Sequence, residues 1–484
     1  MGSADLVAAV RRGDVEAVYH LIDGVEDANA CDPADGVPLL CVAVAAYDEP
    51  VAEVLVKAGA DPLRPLARVP GGDPGLPGGD TALTRAVDGG CSWMTGTLLP
   101  EPVRLDADTR ADLLARARYW AEADLAAELR RRTGATGPAE RGRVRNDSWS
   151  SGYERYTLGG QTVWDGHPGV LTQLEERFGI RTPFDELVLR ALSRPDRDHG
   201  AWSDVVIHLA RRQDAETWAA AKALRDHPDR LRRVFAADVL RCLVMGFGTM
   251  TDAVSGRRSA VVEKPASEVF LPWALEERDP EVLAMVLSGL SEGGEEDPDR
   301  IAECEAVALS YAGHPDPRVR REVPDLLPFG PTPVPPGKLA TVYALARDPD
   351  PAVRERTAYW LASCTAQAPG LTDVLAGLGD DELRETRVHA AWGLARRGDP
   401  RCVEAERRLL PLDPDGWPDG DLMRAMWRYE EGMREGSGEG VREESGEGVR
   451  GGAREGVREG VSAGGAQPAA AAGDAPADIG EQGA

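Results

Sequence analysis

One tetrapeptide recurs along the second half of this 484-residue chain, and its spacing limits the folds that the chain can adopt. Asp-Pro-x-Val begins at Asp279, Asp316 and Asp350. Asp is a favoured N-cap and proline is favoured at the first helical position, so each copy predicts the start of a helix. Another apolar, helix-like stretch precedes each copy: Val269–Glu277, Ile301–Ala312 and Leu339–Arg347. A fixed period of roughly 20–50 residues indicates a stack of repeats.

The pattern continues beyond the third copy. A shift of 33 residues places Arg354 on Arg387, Thr357-Ala358 on Ala390-Ala391 and Leu361-Ala362 on Leu394-Ala395. These copies resemble short bacterial HEAT-like repeats, whose second helix begins D-P-x-V-R-x-x-A. The resemblance implies an α-solenoid of helix pairs over residues 168–429. Pro324 interrupts the second helix of its repeat, so we expect a kink near residues 324–337.

Residues 1–133 carry a period near 34. The clearest copy reads Asp35-Gly36-Val37-Pro38-Leu39-Leu40 and ends with Gly59-Ala60-Asp61. It resembles an ankyrin repeat, with a third copy at Gly79–Ala86 and a degenerate repeat or cap over Leu105–Arg132. The extra residues between copies fall in Pro65–Gly78, which is too poor in apolar residues to be core. The predicted fold class is therefore all-α: ankyrin repeats followed by HEAT-like repeats.

Two segments fall outside the repeats. Residues 134–167 are rich in Gly, Ser, Arg and Tyr and form a predicted linker. An irregular connection that packs its aromatic residues on neighbours is favoured there, and a recognition hairpin over Tyr156–Trp164 is the alternative. Residues 430–484 repeat Glu-Gly-Val-Arg and end in an Ala/Gly/Pro-rich stretch. This low-complexity composition predicts a disordered tail that extends the chain.

Composition excludes several classes of function. The formal net charge of −26 opposes sequence-independent binding to nucleic acid or to anionic membranes, because both need clustered positive charge. There is neither an apolar run long enough for a membrane span nor an export signal, so we expect a cytoplasmic location. The seven cysteines are scattered without a C-x-x-C pair, which indicates reduced thiols.

Chemistry-bearing motifs are lacking as well. The seven histidines include no H-E-x-x-H and no pair four positions apart, and no phosphate-binding or nucleophile-elbow glycine motif occurs. We therefore predict no catalytic, metal or cofactor site and expect a monomeric, non-catalytic adaptor for a protein partner. The enzyme alternatives rest on analogy of fold alone, since HEAT-like repeats resemble those of bilin lyases and a related solenoid occurs in alkylated-DNA glycosylases.

The repeat alignment also predicts a binding surface. Val353, Thr357, Trp360 and Leu361 recur at core spacing, which directs Glu355, Arg356 and Tyr359 outward. The next copy places His389 on Arg356 and Trp392 on Tyr359. Exposed Tyr, Trp and Arg are typical of binding hot spots. The alternative is that both aromatic rings pack between helices. The predicted partner-binding residues are Arg356, Tyr359, Arg387, His389 and Trp392, with Asp35 and Asp80 in the ankyrin loops.

Overall fold

The computed structural model describes residues 3–22, 24, 27–34, 36–66, 80–99, 104–145, 151–246, 266–292, 297–327, 334–366, 368–414 and 416–436. The chain divides into two units, Met1–Glu430 and Glu431–Ala484. The described helices and the sheet belong to the first unit, apart from the end of the last helix. Within the described residues the chain is mostly helical with one small sheet. This agrees with the predicted all-α class.

The first third of the chain folds into helices joined two by two through short turns. Their bounds are α1 Ser3–Arg12, α2 Val15–Ile22, α3 Leu39–Ala46, α4 Glu49–Lys57, α5 Ala82–Gly89, α6 Ser92–Leu98, α7 Ala107–Glu122 and α8 Leu125–Thr133. The first helix of each pair contacts the first helix of the next pair. Asp48, Thr81, Asp106 and Asp124 cap helix N-termini through their side-chain oxygens, as expected for these residue types.

A three-stranded antiparallel sheet comes next, with strands β1 Glu140–Arg145, β2 Gly152–Leu158 and β3 Gln161–Trp164 in the order β1-β2-β3. Gly159 and Gly160 turn the chain between β2 and β3 with positive φ angles of 58° and 80°, which glycine adopts without steric cost. The favoured prediction of an irregular connection is therefore wrong. The segment Tyr156–Trp164 forms a β-hairpin, as the alternative prediction had it. Its aromatic residues do pack on neighbours, since Tyr153 and Trp164 are buried.

The remaining helices run to the end of the described chain. Their bounds are α9 His167–Arg177, α10 Phe184–Leu192, α11 Gly200–Arg212, α12 Ala215–Ala223, α13 Arg230–Val244, α14 Ala266–Glu276, α15 Pro280–Ser291, α16 Pro298–Tyr311, α17 Pro317–Glu322, α18 Pro336–Leu345, α19 Pro351–Ser363, α20 Leu371–Leu378, α21 Arg384–Arg396, α22 Arg401–Arg407 and α23 Asp419–Gly436. The carboxylates of Asp279, Asp316 and Asp350 accept hydrogen bonds from the first turns of α15, α17 and α19. The predicted Asp-Pro helix starts are confirmed.

Helix α17 ends just before Pro324, where a 3-10 turn over Pro324–Leu326 takes its place. Proline lacks the backbone N–H that would continue the α-helical pattern. Residues 328–333, part of the predicted kink, lie outside the described residues, as do residues 437–484 of the predicted tail and residues 67–78 of the loop Pro65–Gly78.

An arginine contact recurs through the C-terminal helices. Each of four arginines donates from Nη1 to the two backbone carbonyls five and six residues before it, at 2.7–3.3 Å; they are Arg233, Arg320, Arg354 and Arg387. The first three also form an ion pair with a carboxylate in the loop that follows the next helix of the chain. These carboxylates belong to Glu277 after α14, Asp348 after α18 and Asp381 after α20. Each of these three arginines thus binds two loops: the loop that precedes its own helix and the loop that precedes the next helix of the same kind.

Apolar side chains of the described chain form two large clusters. One extends from Leu6 to Leu174 and includes Tyr153, Trp164 and the buried residues of α9. The other extends from Phe184 to Met426. The sheet and α9 therefore share an apolar cluster with the N-terminal helices, and α9 also contacts α11.

Candidate functional sites

The predicted aromatic pair exists, but its rings are only half-exposed. The ring centroids of Tyr359 on α19 and Trp392 on α21 lie 6.1 Å apart with a tilt of 31°. Trp392 also packs against the C-terminal core. A third ring, which the repeat alignment did not include, completes the group: Trp417 lies 5.8 Å from Tyr359 and is 64% exposed. The most accessible aromatic surface is thus supplied by Trp417.

His389 does not contribute exposed surface, contrary to its predicted place on the binding face. It is fully buried, with Nε2 3.2 Å from Oε1 of Glu355. Its ring centroid lies 5.3 Å from that of Tyr359 and 5.2 Å from that of Trp417. A residue aligned with half-buried Arg356 becomes buried here because these two rings cover it. His389 therefore packs on the buried side of Tyr359 and Trp417.

The two predicted flanking arginines have different roles. Nε of Arg356 donates to Asp325 at 2.7 Å, and its guanidinium lies 5.3 Å from the Tyr359 ring centroid. Arg356 therefore belongs to the aromatic surface, where the ring face attracts its charge. Arg387 instead donates to the carbonyls of Asp381 and Glu382. Its guanidinium is engaged in the loop that precedes α21, and within the described residues no stacking of Arg387 on the aromatic rings is found.

Acidic side chains adjoin this aromatic group. Asp325, the partner of Arg356, is half-buried, and so is its neighbour Glu322, for which no ion pair is found within the described part of the chain. Burial, with a smaller contribution from the charge of Asp325, raises the pKa of Glu322 to about 7. We name this surface the aromatic–acidic strip and define it by Glu322, Asp325, Arg356, Tyr359, Trp392 and Trp417.

The two predicted loop residues give no second site. Asp35 lies outside the described residues. Asp80 is exposed, and its Oδ2 lies 3.3 Å from Nε of Arg85. An exposed pair of this kind contributes little to stability or specificity.

A separate cleft lies where the N-terminal helices, the sheet and the C-terminal helices meet. Its volume is about 1090 Å³, slightly above the range usual for small-molecule sites. One face of the sheet forms a wall with Val144, Tyr153, Arg155, Thr162 and Trp164, as the alternation of side chains along strands requires. The opposite walls come from α6, α9, α11 and α13 and include Trp93, Gln173, Glu176, Ser203, Asp204, His208, Arg211, Asp238 and Arg241. We call this feature the junction cleft.

Asp204 and Tyr153 occupy space that two glycines leave open. A Cβ atom at Gly169 would lie 2.0 Å from Oδ2 of Asp204, and one at Gly200 would lie 1.9 Å from the Tyr153 hydroxyl. That hydroxyl is 2.9 Å from the hydroxyl of Ser92. Burial raises the pKa of Asp204 to about 6, although the nearby hydroxyls of Ser92 and Tyr153 act in the opposite direction. A carboxyl group is therefore held in a confined polar site.

Cationic side chains on the helices around the junction cleft already have acidic partners. Glu176 lies 3.3 Å from Nδ1 of His208 and 3.5 Å from Nη1 of Arg211. Arg241 lies 3.1 Å from Asp238. The strand residue Arg155 is exposed, and its guanidinium lies over Gly142 of β1. Arg145 of β1 also lines the cleft, and neither it nor Arg155 has an ion pair within the described residues. Asp204 has no ion pair there either.

His199, Cys41 and Cys91 are of residue types that often act in catalysis, but here they have structural contacts. Nδ1 of His199 accepts a hydrogen bond from the backbone N–H of Ala201, which leaves Nε2 to donate to Asp165 at 2.8 Å. Burial raises the pKa of Cys41 to about 11 and that of Cys91 to about 12, which keeps both thiols protonated at neutral pH. Among the described residues, no group of three or more His, Cys, Asp or Glu side chains is arranged to hold a metal ion, and no helix is both long and apolar enough to cross a bilayer.

The comparisons with known proteins give no family. No protein-family model matches the chain, and no curated protein matches it. Among solved structures, the X-ray structure of the Escherichia coli protein YibA, a structural genomics target, is similar at a TM-score of 0.37 and 16% sequence identity. The match covers 52% of this chain and 86% of that chain. A likeness of this degree supports no inference about fold or function.

Proposed function

We propose that this protein is a non-catalytic adaptor that binds a segment of another protein along the aromatic–acidic strip. In this proposal, the N-terminal helix pairs are ankyrin repeats and the C-terminal helix pairs are HEAT-like repeats. Repeats of this kind bury one continuous core between neighbours and leave a long surface that is free to vary. That division of labour suits recognition of a protein and requires no catalytic group.

The recurring arginine contact supports the repeat part of the proposal. Arg320, Arg354 and Arg387 occupy equivalent positions 34 and 33 residues apart and make the same pair of backbone hydrogen bonds. Arg320 and Arg354 also bind the carboxylates of Asp348 and Asp381, which precede the next helix of the same kind. Equal contacts at equal intervals are what stacked copies of one unit produce.

The exposure of Trp417 is the main support for the proposal that the aromatic–acidic strip binds a partner. Its ring is 64% exposed, yet it is held against Tyr359 and the buried His389. Arg356, itself fixed by Asp325, lies beside the same group. Tryptophan, tyrosine and arginine are the residue types that dominate binding hot spots, and rings positioned before binding lose little conformational entropy on binding.

Quantitative capture from a lysate of the source organism tests this function. The full chain, Trp417→Ala and Trp427→Ala serve as baits, because Trp427 is 61% exposed but lies outside the strip. We expect one protein to be retained by the full chain and by Trp427→Ala but depleted with Trp417→Ala. Equal depletion with both variants, or no protein specific to the unsubstituted chain, would contradict the proposal.

A further inference from the structure

The junction cleft suggests a second binding activity, independent of the aromatic–acidic strip. We propose that it binds a positively charged nitrogen group, an ammonium or a guanidinium, between the carboxyl group of Asp204 and the half-exposed aromatic ring of Trp93. Such a group is carried by lysine and arginine side chains and by small organic cations. The proposal rests on unpaired acceptors, on the aromatic walls and on the acidic partners of Arg211 and Arg241, the cations that the cleft's helices carry.

Two buried acceptor atoms belong to residues that line the cleft. Oδ2 of Asp204 and Oε1 of Gln173 have no hydrogen-bond partner within the described residues, and neither do two donors of lining residues, Nε1 of Trp164 and Nε of Arg241. Buried polar atoms in folded proteins are paired in the large majority of cases, so such exceptions call for a specific explanation. A ligand that donates hydrogen bonds would supply the missing partner, after a small movement that opens these atoms to it.

The rings around the cleft are suited to a cation. The centroid of Trp93 lies 5.1 Å from that of Tyr153 and 6.0 Å from that of Trp164, both in edge-to-face arrangements. Tyr47 stacks on Trp164 at 4.3 Å. Tyr153 and Trp164 are buried, whereas Trp93 and Tyr47 are half-exposed and line the cleft. Aromatic faces attract cations, most strongly where water is excluded.

Asp204 has no ion pair in the described part of the protein, although the charges of His199 and Arg211 act to lower its pKa. Arg211 and Arg241 are engaged by Glu176 and Asp238. The charged form of a carboxyl group is disfavoured by burial, which is the main cause of the raised pKa of Asp204. An incoming cation would reverse that penalty, whereas a neutral ligand would leave it in place. The site therefore discriminates by charge.

The size of the cleft admits two sources for the cation. A volume of about 1090 Å³ exceeds what a single side chain fills, so a lysine or arginine could enter together with part of its backbone. A free organic cation would fit as well. Both share the chemistry that the cleft recognises, and the experiment separates them by its choice of probes.

Isothermal titration calorimetry of the full chain provides the test. The probes are n-butylammonium, n-butylguanidinium, the neutral analogue n-butanol and a capped tripeptide with a central lysine. We expect both small cations to bind and the alcohol to bind at least about tenfold more weakly. Affinity should fall between about pH 8 and about pH 5, because Asp204 becomes protonated in that interval. Binding of the tripeptide indicates a partner's side chain, and its exclusion indicates a small cation.

Variants assign the binding to Asp204. Asp204→Asn keeps the shape of the side chain and should weaken cation binding at least about tenfold, whereas Asp226→Asn, at a side chain that is 92% exposed, should leave it unchanged. If Asp204→Asn fails to fold, Trp93→Leu replaces it, with the same loss expected. No binding of either cation, equal binding of n-butanol, or full affinity in the folded variant would overturn the proposal.

Discussion

Arg354 links the loop that precedes its own helix to Asp381, at the start of the next helix of the same kind. Its Nη1 atom donates to the carbonyl of Asp348 at 2.9 Å, and its Nε atom lies 2.6 Å from Oδ2 of Asp381. Both side chains are largely shielded, at 15% and 6% exposure. The contact therefore joins neighbouring helix pairs where solvent screens charges only partly.

Removal of this arginine should lower the free energy of unfolding. Arg354→Ala leaves Asp381 shielded without its cation, and loss of one partner of a buried pair costs about 3 kcal/mol. Arg408→Ala is the control, because its pair with Asp380 is exposed and is worth less than about 1 kcal/mol. Urea denaturation measures both. Equal losses would mean that the arginine contact does not join the helix pairs.

The aromatic group should divide into structural and accessible members. Trp392 packs against the core, so Trp392→Ala should destabilise the protein by about 2–4 kcal/mol through the cavity that it leaves. Trp417→Ala should cost less than about 1 kcal/mol, because the ring is mostly exposed. Thermal melting of the two variants checks this difference. A large loss in Trp417→Ala would make that ring structural and would remove the main support for the binding strip.

Asp204 should make stability depend on pH in a defined direction. Its pKa is raised to about 6 in the folded state from an ordinary value of 3.8, so between these values the folded state holds the additional proton. The free energy of unfolding should therefore rise as pH falls from about 7 to about 4, as far as this group is concerned.

Asp204→Asn should remove that dependence. At about pH 8 the variant should be more stable than the unsubstituted chain by up to about 3 kcal/mol, and near pH 4 the difference should be small. Chemical denaturation at the two pH values measures it. A constant difference at both values would show that Asp204 is not held in a confined polar site.

The close approach of α9 and α11 should depend on Gly169. A methyl group there would collide with Oδ2 of Asp204, so Gly169→Ala should destabilise the protein by about 1–3 kcal/mol. Gly377, within α20, has nothing within 4 Å of a Cβ atom. Gly377→Ala should therefore stabilise the helix by roughly 0.5–1 kcal/mol. Thermal melting should therefore show a lower melting temperature for Gly169→Ala and a higher one for Gly377→Ala. An unchanged melting temperature in Gly169→Ala would contradict the close packing of α9 and α11.

Local signals in the sequence predicted much of the helical fold. Asp316-Pro317 and Asp350-Pro351 mark helix starts because capping depends on a few adjacent residues. The end of α17 before Pro324 follows from the same local chemistry. Arg387 aligns with Arg354 in the sequence, but its function as a loop contact depends on where the preceding carbonyls lie, which the repeat spacing does not give.

The sites were harder to predict because they depend on distant segments. The hydroxyl of Tyr47 donates to the carbonyl of Thr162, 115 residues further along the chain. No sequence period relates these residues, so the junction cleft could not be predicted from the repeat pattern. Trp417 lies outside every aligned copy for the same reason. The close placement of Gly169 and Gly200 against polar side chains likewise appears only in three dimensions.

Site-specific photo-cross-linking in living cells of the source organism tests the adaptor function most directly. A photoreactive phenylalanine analogue is placed at Trp417, within the aromatic–acidic strip, and separately at Trp427, which is as exposed but lies outside it. We predict one dominant covalent adduct from position 417, with the same partner protein in each preparation, and none from position 427. The same adducts from both positions, or none from position 417, would contradict the proposed binding surface.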